Sequence, residues 1–195
     1  MQAAREVRRS FPDGVCGVFL AEVGHPGLVA LTVMEAMGLC AMDTDPATVL
    51  VGLLADKRIL LVLDNSEHLI QSCAELAAAV LPACPRKRVL ATSREGLDVA
   101  GERVFLVSPL PVPDPEADGP GGTGAGVDAV TLFAERAATV APGFSLTSDN
   151  RAAVATLCRH LDGLPLTIEL AAVRMRLLTV EDLLRSARQD KRYRV

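Results

Sequence analysis

Residues 59–63 (ILLVL) constrain the fold of this 195-residue chain more than any other stretch. The run contains only leucine and β-branched residues, the charged pair Lys57-Arg58 precedes it, and Asp64 follows it directly. So short an apolar run is typical of a strand that is buried on both faces, at the centre of a parallel sheet flanked by helices. The Asp64 carboxylate would then lie at the carboxyl end of the strand, where open α/β sheets bind their ligands.

This stretch alone allows two interpretations of Asp64. An acid after a buried strand is the pattern of a Walker B segment, whose aspartate holds the Mg²⁺ that bridges nucleotide phosphates. The alternative is that Asp64, Asn65 or Ser66 caps the amino end of the next helix. On these residues alone the capping role is favoured, so the choice depends on motifs further along the chain.

Composition excludes several classes of protein. Half of the residues are hydrophobic, which is enough for one domain or two small ones, and the net charge of −4 argues against a general nucleic-acid-binding surface. Neither a signal peptide nor a membrane-spanning run is visible, so we expect a cytoplasmic protein without membrane contact. The cysteines are odd in number and lack CxxC spacing, which predicts reduced core residues and neither disulfides nor a zinc site: Cys16, Cys40, Cys73, Cys84 and Cys158.

Residues 1–110 predict an α/β domain with a parallel sheet and flanking helices. The apolar patterns predict strands over residues 15–23, 59–63, 88–91 and 103–107. They predict helices over residues 1–9, 26–38, 47–55 and 68–81, the last of them stopped by Pro82 and Pro85.

The remainder of the chain predicts a linker and a helical domain. Residues 111–127 are rich in Pro and Gly and are interpreted as the linker. Residues 128–195 predict a small all-α domain, in which Ser148 or Asn150 caps the second helix and Thr179 caps the last. The helix that starts at Pro165 is apolar on most sides, which predicts that it is the buried centre of the bundle.

Three motifs occur in order along the chain: LLVLDNSEH, VLATSRE and LDGLPLTIELAA. Together they resemble the STAND class of signal-transduction P-loop ATPases, and most closely the NB-ARC-like modules of large bacterial transcriptional regulators. The resemblance covers nearly the whole chain. It implies a parallel P-loop NTPase-type sheet followed by a small helical domain, which binds ATP or ADP with Mg²⁺ and acts as a switch.

The resemblance also implies a role for individual residues. Asp64 matches the Walker B aspartate that holds Mg²⁺. Asn65 stands where many relatives carry a second acid that polarises the attacking water; an amide is a poor base, so slow hydrolysis is expected if any occurs. Arg94 matches the sensor arginine that reads the γ-phosphate, since a guanidinium makes bidentate contacts with phosphate oxygens. The alternative for Arg94 is a surface ion pair with Glu95 or Glu67.

Gly163 and Pro165 match the GxP motif, whose proline packs on the nucleotide base. The alternative is an ordinary turn between two helices. His68 either bonds a phosphate or a neighbouring loop, or is a residue at a helix start without a chemical role.

The chain departs from the family pattern because GxxxxGK[ST] occurs nowhere in it. The resemblance places that phosphate loop, and a strand from the middle of the sheet, before Met1, so that strands 88–91 and 103–107 lose their common neighbour. It therefore implies a fragment of a larger regulator, with weak nucleotide binding, weak or no ATPase activity by itself, and DNA contacts only through other domains. One alternative is a degenerate interaction module, without catalysis, that pairs with an intact STAND protein or with itself; another is a product without function.

Overall fold

The computed structural model describes residues 2–40, 44–83, 86–113 and 127–189. The chain divides into two compact units, residues 1–105 and 106–195, which are described separately below. The predicted division into 1–110, 111–127 and 128–195 stays a prediction, and most of the predicted linker lies outside the described residues.

A three-stranded parallel sheet forms the centre of the first unit. Its strands are β1 (Val15–Phe19), β2 (Leu60–Asp64) and β3 (Arg88–Ala91), in the spatial order β1-β2-β3. Val15 pairs with Leu60, which in turn pairs with Arg88. The predicted α/β class is confirmed, and β2 is the buried central strand that its uninterrupted apolar run indicated.

In the described part of this unit, four helices accompany the sheet, and short 3₁₀ turns precede β1 and α2. They are α1 (Gln2–Glu6), α2 (Val29–Ala36), α3 (Pro46–Leu54) and α4 (Ile70–Ala83). The expectation that Pro82 stops α4 is wrong, because the helix ends at Ala83, two residues beyond its predicted end at residue 81. The φ that proline imposes is itself helical, and only one N–H is lost in the last turn.

The two faces of the sheet are covered unequally. Leu61 and Leu63 face a large core to which α2, α3 and α4 contribute. Leu60 and Val62 face the other way, where their buried neighbour is Ala4 of the five-residue helix α1. Phe11 and Val15 complete that smaller cluster.

The strand predicted over residues 103–107 is absent from the structure. Residues 104–107 are 73–87% exposed, although all four are apolar. A strand requires a neighbour for its backbone N–H and C=O groups, and β3 is the last strand of the described sheet on this side. The strand predicted over 15–23 is also shorter than expected, since β1 ends at Phe19.

The second unit, as far as the structure describes it, is a bundle of four helices: α5 (Val127–Val140), α6 (Ser148–His160), α7 (Pro165–Val173) and α8 (Val180–Gln189). The capping residue of α6 is Thr147, and neither Ser148 nor Asn150 as predicted. The backbone N–H of Thr147 donates to the side-chain oxygen of Asn150 at 2.8 Å. The predicted cap of α8 is confirmed, because the Thr179 hydroxyl accepts from the Asp182 N–H at 3.2 Å.

Helix α7 is only half buried, although it was predicted to be the centre of the bundle. Ile168, Ala171 and Ala172 lie in the core. Leu166 and Leu170 lie on the opposite face, and they are 67% and 55% exposed. When a helix is apolar on most sides, its sequence pattern does not indicate which face packs against the core. The prediction from sequence therefore overestimated how much of α7 is buried.

The cysteines of the described residues are free thiols. Cys16, Cys73 and Cys158 are buried, as predicted, whereas Cys40 is exposed. Burial raises the pKa of Cys73 to about 11 and that of Cys158 to about 12, so both remain uncharged at neutral pH. Cys84 lies outside the described residues.

Candidate functional site

Polar side chains of the first unit gather at the carboxyl edge of the sheet. Asp64 is the last residue of β2. Thr92 comes directly after β3, and its N–H donates to the Leu63 carbonyl at 2.9 Å, so that the ladder continues one step beyond the strand. Because Leu63 pairs with Ala91, Thr92 occupies the position opposite Asp64.

The Thr92 hydroxyl connects two of the predicted site residues. It donates to Oδ1 of Asp64 at 2.6 Å and accepts from the backbone N–H of Asn65 at 2.9 Å. Ser66 is fully buried beneath this contact, and its N–H and its hydroxyl both donate to the Thr92 carbonyl at 2.9 Å. Thr92 therefore fixes the turn 64–66 through its side chain and through its backbone.

These contacts replace the helix cap that was the alternative role for this segment. Helix α4 begins at Ile70, six positions after Asp64. The Asp64 carboxylate accepts from Thr92, and the Ser66 hydroxyl donates to the Thr92 carbonyl. The capping interpretation of these two residues is therefore wrong.

Asn65 adopts a left-handed backbone conformation with φ 62°. Asparagine tolerates this region better than most residues with a Cβ. Its side-chain amide donates to Oε1 of Glu67 at 3.3 Å. The positive φ is the local bend that carries the chain out of β2 and places residues 65–67 along the edge of the sheet.

Arg94 lies at the same edge and also contacts Glu67. Its Nε is 3.6 Å from Oε1 of Glu67, and the Arg94 side chain is 85% exposed. This is the ion pair that the sequence offered as the alternative role. An exposed pair of this kind contributes at most about 1 kcal/mol, so little opposes the transfer of the guanidinium to another anion.

The structure thus brings Asp64, Asn65 and Arg94 to one edge of the first unit, with Glu67 contacting the last two. Their predicted roles in catalysis and binding remain predictions. Thr92 was missed as a member of the constellation, whereas Ser66 had been named as a possible cap and Glu67 as a possible ion-pair partner of Arg94. The signal for Thr92 was its position directly after a predicted strand, which is the position that singled out Asp64.

Magnesium is the metal ion that the resemblance implies at this edge. Within the described ranges, no group of three or more His, Cys, Asp or Glu residues is arranged to hold a metal ion. Mg²⁺ that binds together with nucleotide phosphates commonly uses one or two carboxylates and takes its other oxygens from phosphate and water. Asp64 fits a magnesium ion that arrives with a nucleotide and takes most of its ligands from phosphate and water.

His68 contacts a loop, as one of its alternatives proposed. Its Nε2 lies 3.1 Å from the carbonyl oxygen of Val23, in the segment that follows β1.

Gly163 and Pro165 belong to the second unit. Gly163 has φ 66° and its carbonyl accepts from the Leu110 N–H at 2.9 Å. A Cβ at this position would lie 2.3 Å from the Leu110 carbonyl oxygen. Pro165 is exposed and is the first residue of α7, where its fixed φ suits a helix start. These contacts account for both residues as a turn between helices, and their nucleotide role stays a prediction.

No helix among the described residues is both long enough and apolar enough to cross a bilayer.

The chain is similar to parts of longer mycobacterial proteins. It is 42% identical over 170 residues, which is 84% of its length, to proteins of Mycobacterium bovis and Mycobacterium tuberculosis that carry the name "Putative HTH-type transcriptional regulator". That match covers 17% of each regulator. The present chain is also 35% identical over 190 residues to an uncharacterized protein of M. tuberculosis. This second match covers 94% of the chain and 44% of that protein.

The chain therefore spans about a sixth of the regulators, and less than half of the second relative. No family model matches it. The comparisons place the chain in the context of transcriptional regulators.

Proposed function

We propose that this chain is a segment of a nucleotide-dependent switch in a transcriptional regulator of the STAND class, and that its sheet is part of a P-loop NTPase-type fold. The observation that carries the proposal is that Asp64 and Arg94 lie at the same edge, beyond neighbouring parallel strands. Ligands of open α/β sheets bind at this edge. The regulator names of the relatives agree with such a role, and the proposal leaves DNA contacts to other domains of the regulator.

Each residue at the edge has a task under this proposal. Asp64 supplies one oxygen to the magnesium ion that accompanies the nucleotide, and the ion neutralises phosphate charge. The Thr92 hydroxyl keeps that carboxylate in one orientation. Arg94 leaves Glu67 and contacts the terminal phosphate, which distinguishes ATP from ADP.

Hydrolysis is expected to be slow or absent. Asn65 can orient a water molecule by hydrogen bonding, but an amide cannot take its proton. The phosphate-binding loop that would hold the β- and γ-phosphates is not among these 195 residues. Binding of ATP or ADP to this chain alone is therefore expected in the millimolar range.

Paramagnetic broadening of backbone NMR signals tests the site directly. With ATP and Mn²⁺ in place of Mg²⁺, we expect the amides of residues 65–67 and 92–94 to broaden first. Asp64→Ala should abolish this selectivity. Glu35→Ala, which removes an exposed acid of α2, is the matched control and should preserve it.

Two outcomes would count against the proposal. One is broadening centred elsewhere on the first unit, or unchanged in Asp64→Ala. The other is micromolar affinity for Mg·ATP by calorimetry, because it would require a phosphate site other than the one proposed.

A second candidate function is an interaction module without catalysis. The observation that favours it is the combination of β3, an edge strand of the described sheet, with the exposed apolar residues 104–107. Such an edge is a template for pairing with another chain. Co-purification with an intact, P-loop-containing relative that is weakened by Phe105→Asp but not by Asp64→Ala would support this candidate over the first.

A further inference from the structure

A concave site of about 290 Å³ lies at the opposite, amino-terminal edge of the same sheet. It is lined by Ser10, Phe11, Arg58, Arg86 and Arg88. Each of them precedes or begins a strand: residues 10–11 come before β1, Arg58 before β2, and Arg86 and Arg88 at the start of β3. The strands are parallel, so these positions converge at the edge that faces away from Asp64.

The site collects positive charge in a chain whose net charge is −4. Three of its five lining residues are arginines, and two carboxylates lie close to them. Asp56 is 4.0 Å from Arg86, in a pair whose side chains are 101% and 63% exposed. Asp13 accepts from the backbone N–H of Arg58 at 2.7 Å and not from its guanidinium.

The existing contacts of Arg58 and Arg86 leave donors for a ligand. Arg86 donates to the Asp56 carbonyl at 3.2 Å, and its ion pair with Asp56 is long, at 4.0 Å. A guanidinium has five N–H donors, so these two contacts do not exhaust it. Arg58 and Arg86 are both exposed, which keeps their donors accessible.

We propose that this amino-edge pocket binds a small anion that carries two or more phosphate groups. Guanidinium groups match phosphate oxygens in bidentate geometry, and three of them around one cavity suit more than one phosphate. The Ser10 hydroxyl supplies a further donor, and Phe11 forms an apolar wall. The volume lies just below the usual range of ligand pockets, about 300–1,000 Å³, which favours a compact molecule over an extended surface such as duplex DNA.

Calorimetry with pyrophosphate in the absence of divalent ions is the test. Without a metal ion, Asp64 repels the anion, and an Arg94→Gln background removes the guanidinium at the other edge, so this experiment separates the pocket from that site. Arg58→Gln combined with Arg86→Gln should reduce the affinity at least about tenfold, since charge-assisted hydrogen bonds are lost. Arg103→Gln, an exposed arginine of the same unit outside the pocket, should change it less than about twofold.

Ser10→Leu provides a second variant that leaves every arginine in place. It fills part of the cavity and should weaken pyrophosphate in the same direction, while thermal unfolding reports whether the variants remain folded. Pyrophosphate binding that is equal in the pocket variants and in Arg103→Gln would overturn the proposal. Tighter binding of short duplex DNA than of pyrophosphate, lost in the same variants, would also overturn it, because the edge would then be a nucleic-acid surface.

Discussion

At the scale of single residues, the carboxyl edge depends on Thr92 more than on any residue that the motifs singled out. One hydroxyl group serves the Asp64 carboxylate and the Asn65 N–H at once. A carboxylate held by a fixed donor presents its other oxygen in a defined direction, which is what a single-ligand magnesium site requires.

Replacing Thr92 by Val should therefore lower the stability of the fold and leave the Asp64 carboxylate less firmly oriented. The substitution keeps the β-branched shape, but removes one hydrogen-bond donor and one acceptor, so the free energy of unfolding should fall by about 1–2 kcal/mol. Urea unfolding followed by circular dichroism measures the change. Thr32→Val is the control, because that hydroxyl donates to the carbonyl of Leu28, the residue directly before its own helix, and its cost should be smaller.

Gly163 makes a second prediction at this scale, independent of any nucleotide. Gly163→Ala combines a positive φ with a Cβ that would lie 2.3 Å from the Leu110 carbonyl oxygen. It should lower the free energy of unfolding of the second unit by more than about 1 kcal/mol. Gly143→Ala, where a Cβ meets nothing within 4 Å, should have a much smaller effect on the same denaturation curve. Equal effects of the two substitutions would remove the packing explanation.

At the scale of elements, the strands predicted from apolar runs form where a neighbouring strand is available to pair with them. The buried run 59–63 became the central strand because β1 and β3 pair with it on both sides. Residues 103–107 carry a comparable apolar pattern but form no strand. The sequence could not indicate this, because composition does not say whether a partner for the backbone is present. The Asp64–Thr92 contact escaped prediction for a related reason, since it depends on the register between two strands 28 residues apart.

Helix α7 allows a direct test of its two apolar faces. Ile168→Ala removes a fully buried side chain and should cost about 2–5 kcal/mol. Leu170→Gln changes an apolar residue that is 55% exposed and should stay within about 0.5 kcal/mol of the parent. Chemical denaturation of both variants measures the difference. A large loss for Leu170→Gln would show that its face is covered in solution.

At the scale of the whole molecule, the sequence predicted the α/β class, the cap at Thr179, and the edge at which Asp64 and Arg94 lie. The cap residue could be predicted because it acts on N–H groups within the next turn of the same helix. The amino-edge pocket could not be predicted, because its arginines come from two segments 28 residues apart and meet only when the strands align.

Both units should share one response to acid. Hydrogen bonds from Thr48 lower the pKa of Asp45 at the start of α3, and hydrogen bonds from Thr179 lower the pKa of Asp182 in α8. Because the folded-state pKa lies below the unfolded value of about 3.9, this stabilisation is present above that pH and is lost as pH falls through the folded-state pKa. We expect thermal midpoints of Asp45→Asn and Asp182→Asn to lie below that of the parent at neutral pH and to converge with it in acid. A gap that does not depend on pH would contradict this.

The exposed segment 104–107 also has a consequence for how the chain can be handled. Phe105 and Leu106 are preferred by chymotrypsin-like proteases, they are 87% and 83% exposed, and the boundary between the two compact units falls between them. Brief digestion should cut here early and release two fragments that each keep a hydrophobic core. A partner that pairs with this segment would delay the cut, so the rate of cleavage becomes a simple assay for such a partner.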